Sequence, residues 1–184
     1  MEFSRLPSSL RSRDGWSDFL ECRRNAEPHV HQIEPTNHCP YACIMCPRDR
    51  HMQRPLGFME MDLYRKVIDE VDGYAEPVRS KAIELFHFGE SLLHPLIDEM
   101  VGYASRKGLN FVLSVNGPQL SPQLTERILD NRPSRLIVSL DGHDQESYQA
   151  IRGKAANFEK ARGNILELIA QAKRFGLEIG RAHV

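Results

Sequence analysis

Excess charge is the first thing this 184-residue chain lacks: 24 lysines and arginines stand against 25 acidic residues, a formal net of −1. Near-neutral charge gives no electrostatic case for nucleic acid or an anionic membrane as partner. No apolar run approaches the length of a membrane span. The N-terminus lacks the positive, apolar and small-residue order of a secretory signal. A disulfide framework is missing as well. The chain has four cysteines, three of them crowded together, and none follows Cys46. That usage suggests a reducing cytoplasm. Length and composition otherwise suit one soluble domain with a sizeable core.

The crowded cysteines lie in Cys39-Pro40-Tyr41-Ala42-Cys43-Ile44-Met45-Cys46. A loop this short can point three thiolates at one centre, and thiolates select zinc, copper(I) or iron–sulfur clusters. Three ligands leave a four-iron cluster with one iron not bound by protein, open to a substrate or cofactor. Structural zinc favours four protein ligands. On these residues alone a zinc site and a redox disulfide pair stay open as alternatives. Cys22, well before the triplet, reads as incidental.

Around this loop the chain alternates strands and helices. Residues 1–28 are polar and broken by Pro7, Asp14 and Gly15, with room for a short helix near Trp16–Arg24. His29–Pro35 reads as a first strand, its His29 and His31 as surface histidines. Arg48, Arg50, His51 and Arg54 make the far side of the cysteine loop basic; a solvated face is the plain reading, contact with an anionic substrate group the minor one. Glu60–Tyr74 reads as a helix with Leu63, Tyr64, Val67, Ile68 and Val71 on one face, and Glu60 and Asp62 in its first turn. Lys81–Phe88 is the second predicted strand. The next helix carries Leu96, Ile97, Met100, Val101 and Ala104, with Pro95 at its first position and Gly108 as its C-terminal cap. Leu109–Val115 is the third strand, Ser121-Pro122 start a helix through about Asp130, and Arg135–Leu140 is the fourth strand. A helical piece near Glu146–Ile151 precedes a longer helix capped by Asn157 and ended at Gly176. Strands alternating with helices imply a parallel sheet with right-handed crossovers, an α/β fold. In βα barrels the active face is built at the strand ends.

Those strand ends carry recurrent motifs. Phe86-His87-Phe88-Gly89-Glu90-Ser91 follows the second strand, Ser114-Val115-Asn116-Gly117 the third, and Val138-Ser139-Leu140-Asp141-Gly142 the fourth; Tyr148-Gln149-Ala150-Ile151-Arg152-Gly153 comes next. Together with the cysteine loop, they resemble the radical S-adenosylmethionine (radical SAM) superfamily. The resemblance covers about Val30 to Gly176. Phe88 replaces the first glycine of the family's Gly-Gly-Glu-Pro motif and Ser91 its proline, while Glu90 keeps its place.

The resemblance implies the following. Cys39, Cys43 and Cys46 hold a [4Fe–4S] cluster whose free iron is chelated by S-adenosylmethionine (SAM). Glu90, with Gly89 beside it, holds the SAM amino group. Asn116 lies near the ribose, Ser139 near the SAM carboxylate, and Met45 contacts adenine. Arg152 pairs with the carboxylate of the methionine part, and the role of Asp141 stays open. One electron from the reduced cluster then cleaves SAM to methionine and a 5′-deoxyadenosyl radical, which abstracts hydrogen from substrate. An electron donor such as flavodoxin or ferredoxin and a small-molecule or peptide substrate are the implied partners.

The family's barrel has six strands, and four βα units are read here, so the expectation is a partial (β/α) barrel. Arg54-Pro55-Leu56-Gly57-Phe58-Met59 looks most like members with a C-terminal cysteine-rich, SPASM-type domain, which modify peptides, sugars or cyclitols. The division expected is an extension over 1–28, a partial barrel over 29–177 and a tail over 178–184. Glu178-Ile179-Gly180-Arg181-Ala182-His183-Val184 matches the translation of a short-read sequencing adapter, so the expectation is a non-native tail after about Leu177; a fifth strand beginning at Leu177 is the plain alternative. A non-catalytic zinc- or cluster-binding module, with His38 or His51 as fourth ligand, is the competing reading.

Overall fold

A computed structural model of the chain describes residues 29–177, together with Asp14 and Ser17. Cys22, the tail over 178–184 and, Ser17 apart, the helix expected near Trp16–Arg24 fall outside the described residues. Over residues 29–177 the α-helices and strands follow one another as α1 (Arg48–His51), α2 (Met61–Asp72), β1 (Ile83–Glu84), α3 (Ile97–Arg106), β2 (Phe111–Asn116), α4 (Pro122–Asp130), β3 (Arg135–Ser139), α5 (Gln145–Arg152) and α6 (Phe158–Arg174). The three strands form one parallel sheet in the order β1-β2-β3. Each crossover carries a helix, the arrangement expected when parallel strands follow one another in sequence.

The first predicted strand is reduced to a single parallel bridge, Gln32 to Glu84. Ile33 N–H donates to the Glu84 carbonyl at 2.8 Å, and Glu84 N–H donates to that of His31 at 2.9 Å. The second predicted strand shrinks to two residues. Leu85 N–H still donates to the Val112 carbonyl at 2.8 Å, and beyond it Phe88 N–H turns to the side-chain carboxylate of Glu34 at 3.0 Å.

Helix limits follow the local chemistry. Glu60 is the N-cap residue of α2 rather than a first-turn residue, and Leu63 is exposed while Tyr64, Ile68 and Val71 are buried. Pro95 lies one residue before the N-cap of α3, Leu96, so it does not occupy the first helical position. Ser121 accepts from Leu124 N–H and Asn157 from Lys160 N–H, capping α4 and α6 as the sequence predicts. Gly108 and Gly176 follow the last turns of α3 and α6 with φ of +68° and +67°, the left-handed conformation glycine adopts without strain.

The core lies between the sheet and α2, α3, α4 and α6, and includes Tyr64, Ile68, Met100, Leu113 and Ile128. Each such side chain contributes about 1.5–3 kcal/mol by leaving water. The buried Tyr64 hydroxyl donates to the Met100 carbonyl at 2.8 Å, so no polar group is stranded there. A second cluster of Tyr41, Tyr148, Ala156, Phe158 and Ala161 lies under the cysteine loop, with Cys39 and Cys43 against it.

Candidate functional site

The cysteine loop is stitched down at both ends. Thr36 Oγ1 donates to the Gly57 carbonyl at 2.8 Å, and the buried Asn37 side chain accepts from Gly57 N–H and donates to the Pro55 carbonyl. Gly89 passes so close that a Cβ there would sit 1.7 Å from the Thr36 carbonyl oxygen. The glycine therefore serves contact between two backbone segments. The next residue, Glu90, donates its N–H to the His38 carbonyl at 2.8 Å. Within the loop Cys46 N–H donates to the Cys43 carbonyl, and Arg48 reaches back to the Tyr41 carbonyl at 2.8 Å.

The opposite wall is the end of α5. Ile44 N–H donates to the Ile151 carbonyl at 2.9 Å. Gly153, at φ +91°, turns the chain where an added Cβ would lie 3.2 Å from the Ala42 carbonyl oxygen. Residues 151–153 thus grip residues 42–44, more than a hundred positions earlier.

Between these walls one polar network joins three strand ends to the loop. Glu90 is 1% exposed. Its carboxylate accepts from Leu92 N–H at 3.0 Å and from Asn116 N–H at 2.7 Å. Burial pushes its pKa up to about 7, against the pull of those N–H groups and of Arg152. The Asn116 side-chain oxygen accepts from the Arg152 guanidinium at 3.1 Å. Arg152 also contacts Cys43 Sγ at 3.7 Å and forms an ion pair with Asp141. Burial opposes the Arg152 charge, yet Asp141 and Cys43 carry its pKa above the ordinary value.

The expected site residues are placed as follows. Glu90, Asn116, Arg152 and Cys43 share the network. Ser139 is brought beside Asn116 by the β2–β3 register and is half-buried. Met45 is 59% exposed on the loop. Asp141, whose role the sequence leaves open, is the partner of Arg152. Nothing in the spacing of Asp141 and Arg152 signals that pair, because β3 and α5 meet only in three dimensions. Tyr41 and Tyr148 lie within quoted motifs, but nothing in those motifs signals that the two rings are buried in one cluster beneath the loop.

Cys39, Cys43 and Cys46 are free, half-buried thiols on one loop, with burial pushing the Cys39 thiol up. Among the described residues no three Cys, His, Asp or Glu side chains converge closely enough to hold a metal ion. Cys43 Sγ instead lies 3.8 Å from the Arg152 carbonyl, and His38 stacks on Phe58 with ring centres 4.5 Å apart. The donor chemistry nonetheless fits a cluster, since three thiols on one short loop are the soft ligands an iron–sulfur centre takes.

A family model described as the Radical SAM superfamily matches residues 33–181. An AdoMet-dependent heme synthase of Nitratidesulfovibrio vulgaris is 30% identical over 128 residues, covering 70% of this chain and 34% of that protein. The AdoMet-dependent heme synthase of Methanosarcina barkeri is 30% identical over 138 residues, covering 75% and 38%. The chain thus spans about a third of the length of these curated relatives. Its fold is similar to that of BtrN in complex with AdoMet and 2-DOIA, with a TM-score of 0.55 at 18% identity over 73% of this chain and 55% of that one.

Proposed function

Because the chain belongs to the radical SAM superfamily, we propose that it is the cofactor-bearing part of a radical SAM enzyme. The observation that carries this reading is the network linking buried Glu90, Asn116, Arg152 and the cysteine-loop thiol of Cys43. A purely structural metal site has no use for a buried carboxylate and guanidinium wired to one of its thiols.

The cofactors of the superfamily are a [4Fe–4S] cluster and SAM, which when bound supply a 5′-deoxyadenosyl radical for hydrogen abstraction. In this chain Cys39, Cys43 and Cys46 are the three cluster ligands, which leaves one iron to the amino and carboxylate groups of SAM. Glu90 suits the ammonium. Its burial disfavours a lone negative charge, and an arriving cation restores the ionised form. Arg152 offers a planar fork to the carboxylate, a place that Asp141 holds in this structure. Gly89, Asn116 and Ser139 line the same strand ends, and Met45 stands ready on the loop for adenine.

The substrate is a small molecule or peptide of the peptide, sugar or cyclitol classes, and the heme synthases named above add a tetrapyrrole to that range. An electron carrier of the flavodoxin or ferredoxin kind and a cytoplasmic setting complete the proposal. No helix among the described residues is long and apolar enough to cross a membrane.

The test is reductive cleavage of SAM. Protein loaded anaerobically with iron and sulfide, then reduced with dithionite, should release 5′-deoxyadenosine. Cys43→Ser should abolish release, and Arg152→Lys should cut it about tenfold or more through loss of the bidentate fork. Iron-loaded protein that leaves SAM intact would contradict the proposal.

A further inference from the structure

Glu34 has no task in the function proposed above. It stands five residues before Cys39, where the chain leaves its bridge to β1, and its side chain is 14% exposed. Both carboxylate oxygens are engaged. Oε1 accepts from Phe88 N–H at 3.0 Å, and Oε2 pairs with the Arg54 guanidinium. Arg54 in turn lies over the Phe88 ring, 5.9 Å from its centre. The three residues close a triangle across three segments: one entering the cysteine loop, one leaving it, and one leading into Gly89-Glu90.

Stability is a poor reason for this triangle. The Arg54 side chain is 48% exposed, and an ion pair that solvent reaches contributes little to folding. What the triangle fixes is register. Residues 34–38 meet residues 88–90 at three places: the Glu34 carboxylate on Phe88 N–H, the Thr36 backbone on Gly89, and the His38 carbonyl on Glu90 N–H at 2.8 Å. The last two are backbone against backbone, so of the three only the Glu34 contact depends on a side chain. Register matters here because Glu90 is to hold an ammonium whose nitrogen must also reach the iron left open by the cysteines. Phe88 stands where the family has a glycine, and its ring gives Arg54 a seat that glycine lacks.

We propose that Glu34 is a positioning residue for the SAM amino group: it holds Phe88-Gly89-Glu90 in register with the cysteine loop, and Arg54, braced on the Phe88 ring, keeps its carboxylate in place. A small displacement of a binding group away from the chemistry is enough to weaken productive binding. The inference rests on the reading of Glu90 as the partner of the SAM ammonium.

Glu34→Ala removes both contacts, Glu34→Gln keeps an acceptor for Phe88 N–H without the charge, and Arg54→Met removes the ion pair alone. Before iron is added, amide hydrogen exchange at Phe88 and Glu90 is followed by NMR in the full chain. Glu34→Ala should speed exchange at Glu90 as well as at Phe88, because the whole segment loosens. After anaerobic loading with iron and sulfide, every variant should hold the iron of the parent. In dithionite-driven cleavage Glu34→Ala should raise KM for SAM about fivefold or more, with kcat near the parent's. Glu34→Gln and Arg54→Met should each raise it about twofold, and adding Arg54→Met to Glu34→Ala should change nothing further. A parental KM in Glu34→Ala, or parental exchange at Glu90, would overturn the proposal and leave Glu34 a local partner of Phe88. Where Glu34→Ala does not fold, a parental KM in both other variants would overturn it. Loss of iron from Glu34→Gln or Arg54→Met would overturn it too, since the triangle would then serve the cysteine loop and not Glu90. A parent chain that leaves SAM intact would instead defeat the function proposed above, an outcome on which the exchange at Glu90 does not depend.

Discussion

Glu90 carries the sharpest consequence at the level of single residues. Its carboxyl is buried with a pKa near 7, above the ordinary 4.5, because the cost of burying a charge outweighs two backbone N–H bonds. The folded state therefore binds a proton that the unfolded state releases. The stabilisation is fully present below about pH 4.5 and is lost as pH rises through about 7, an effect of up to about 3 kcal/mol. Urea titrations of the ligand-free protein between pH 5 and 8 should show this decline, and Glu90→Gln should remove that part of the slope. A slope unchanged in the variant would show that Glu90 ionises freely. Gly89→Ala is the second residue-level prediction. Its Cβ would meet the Thr36 carbonyl at 1.7 Å, backbone against backbone, so the loop must shift. A loss of roughly 2 kcal/mol or more in thermal or urea unfolding follows, and a loss under about 0.5 kcal/mol would contradict that close approach. The sequence marks Gly89 and Glu90 through their motif, but it marks the glycine for a ligand, and the structure shows it serving Thr36 and Asn37.

Among the elements, the helices were the most legible part of the chain. Their apolar residues recur at three and four positions, and Ser121, Asn157, Gly108 and Gly176 act at the ends where those residue types are favoured. Asn157→Ala should accordingly cost about 1 kcal/mol in urea unfolding, with Asn157→Asp close to the parent; equal losses in both would show that the cap bond to Lys160 N–H is not what holds the start of α6. The short strands were less legible. Lys81–Phe88 reads as one long strand, yet its ladder to β2 stops with Leu85 N–H on the Val112 carbonyl, and Phe88 N–H is taken by the Glu34 side chain. A hydrogen bond between residues 54 positions apart leaves no trace in a local pattern. The Arg152 ion pair with Asp141 and the pairing of Tyr41 with Tyr148 escape sequence reasoning for the same reason.

Across the whole molecule, β2 is central and β3 is an edge. β2 buries Phe111, Leu113 and Val115, whereas no residue of β3 is fully buried and Ile137 is 37% exposed. An edge strand with exposed apolar side chains is a template for pairing with another chain. Ile137→Lys should reduce concentration-dependent self-association in sedimentation while changing unfolding stability by less than about 0.5 kcal/mol; unchanged association would place the sticky surface elsewhere. The parallel α/β plan of the sheet was readable from the alternation of strands and helices. The convergence of Glu90, Asn116 and Ser139 on one face follows from that plan, since parallel strands present all their C-terminal ends together, and Arg152 joins them from the end of α5.

The central claim is that three thiolates hold a cluster with an iron left for SAM, and one measurement tests it most directly. The protein is loaded with iron and sulfide without oxygen, reduced, and examined by paramagnetic resonance with and without SAM. The account predicts a four-iron signal that changes when SAM is added. Stoichiometric zinc with no cluster, or a cluster signal indifferent to SAM, would contradict it.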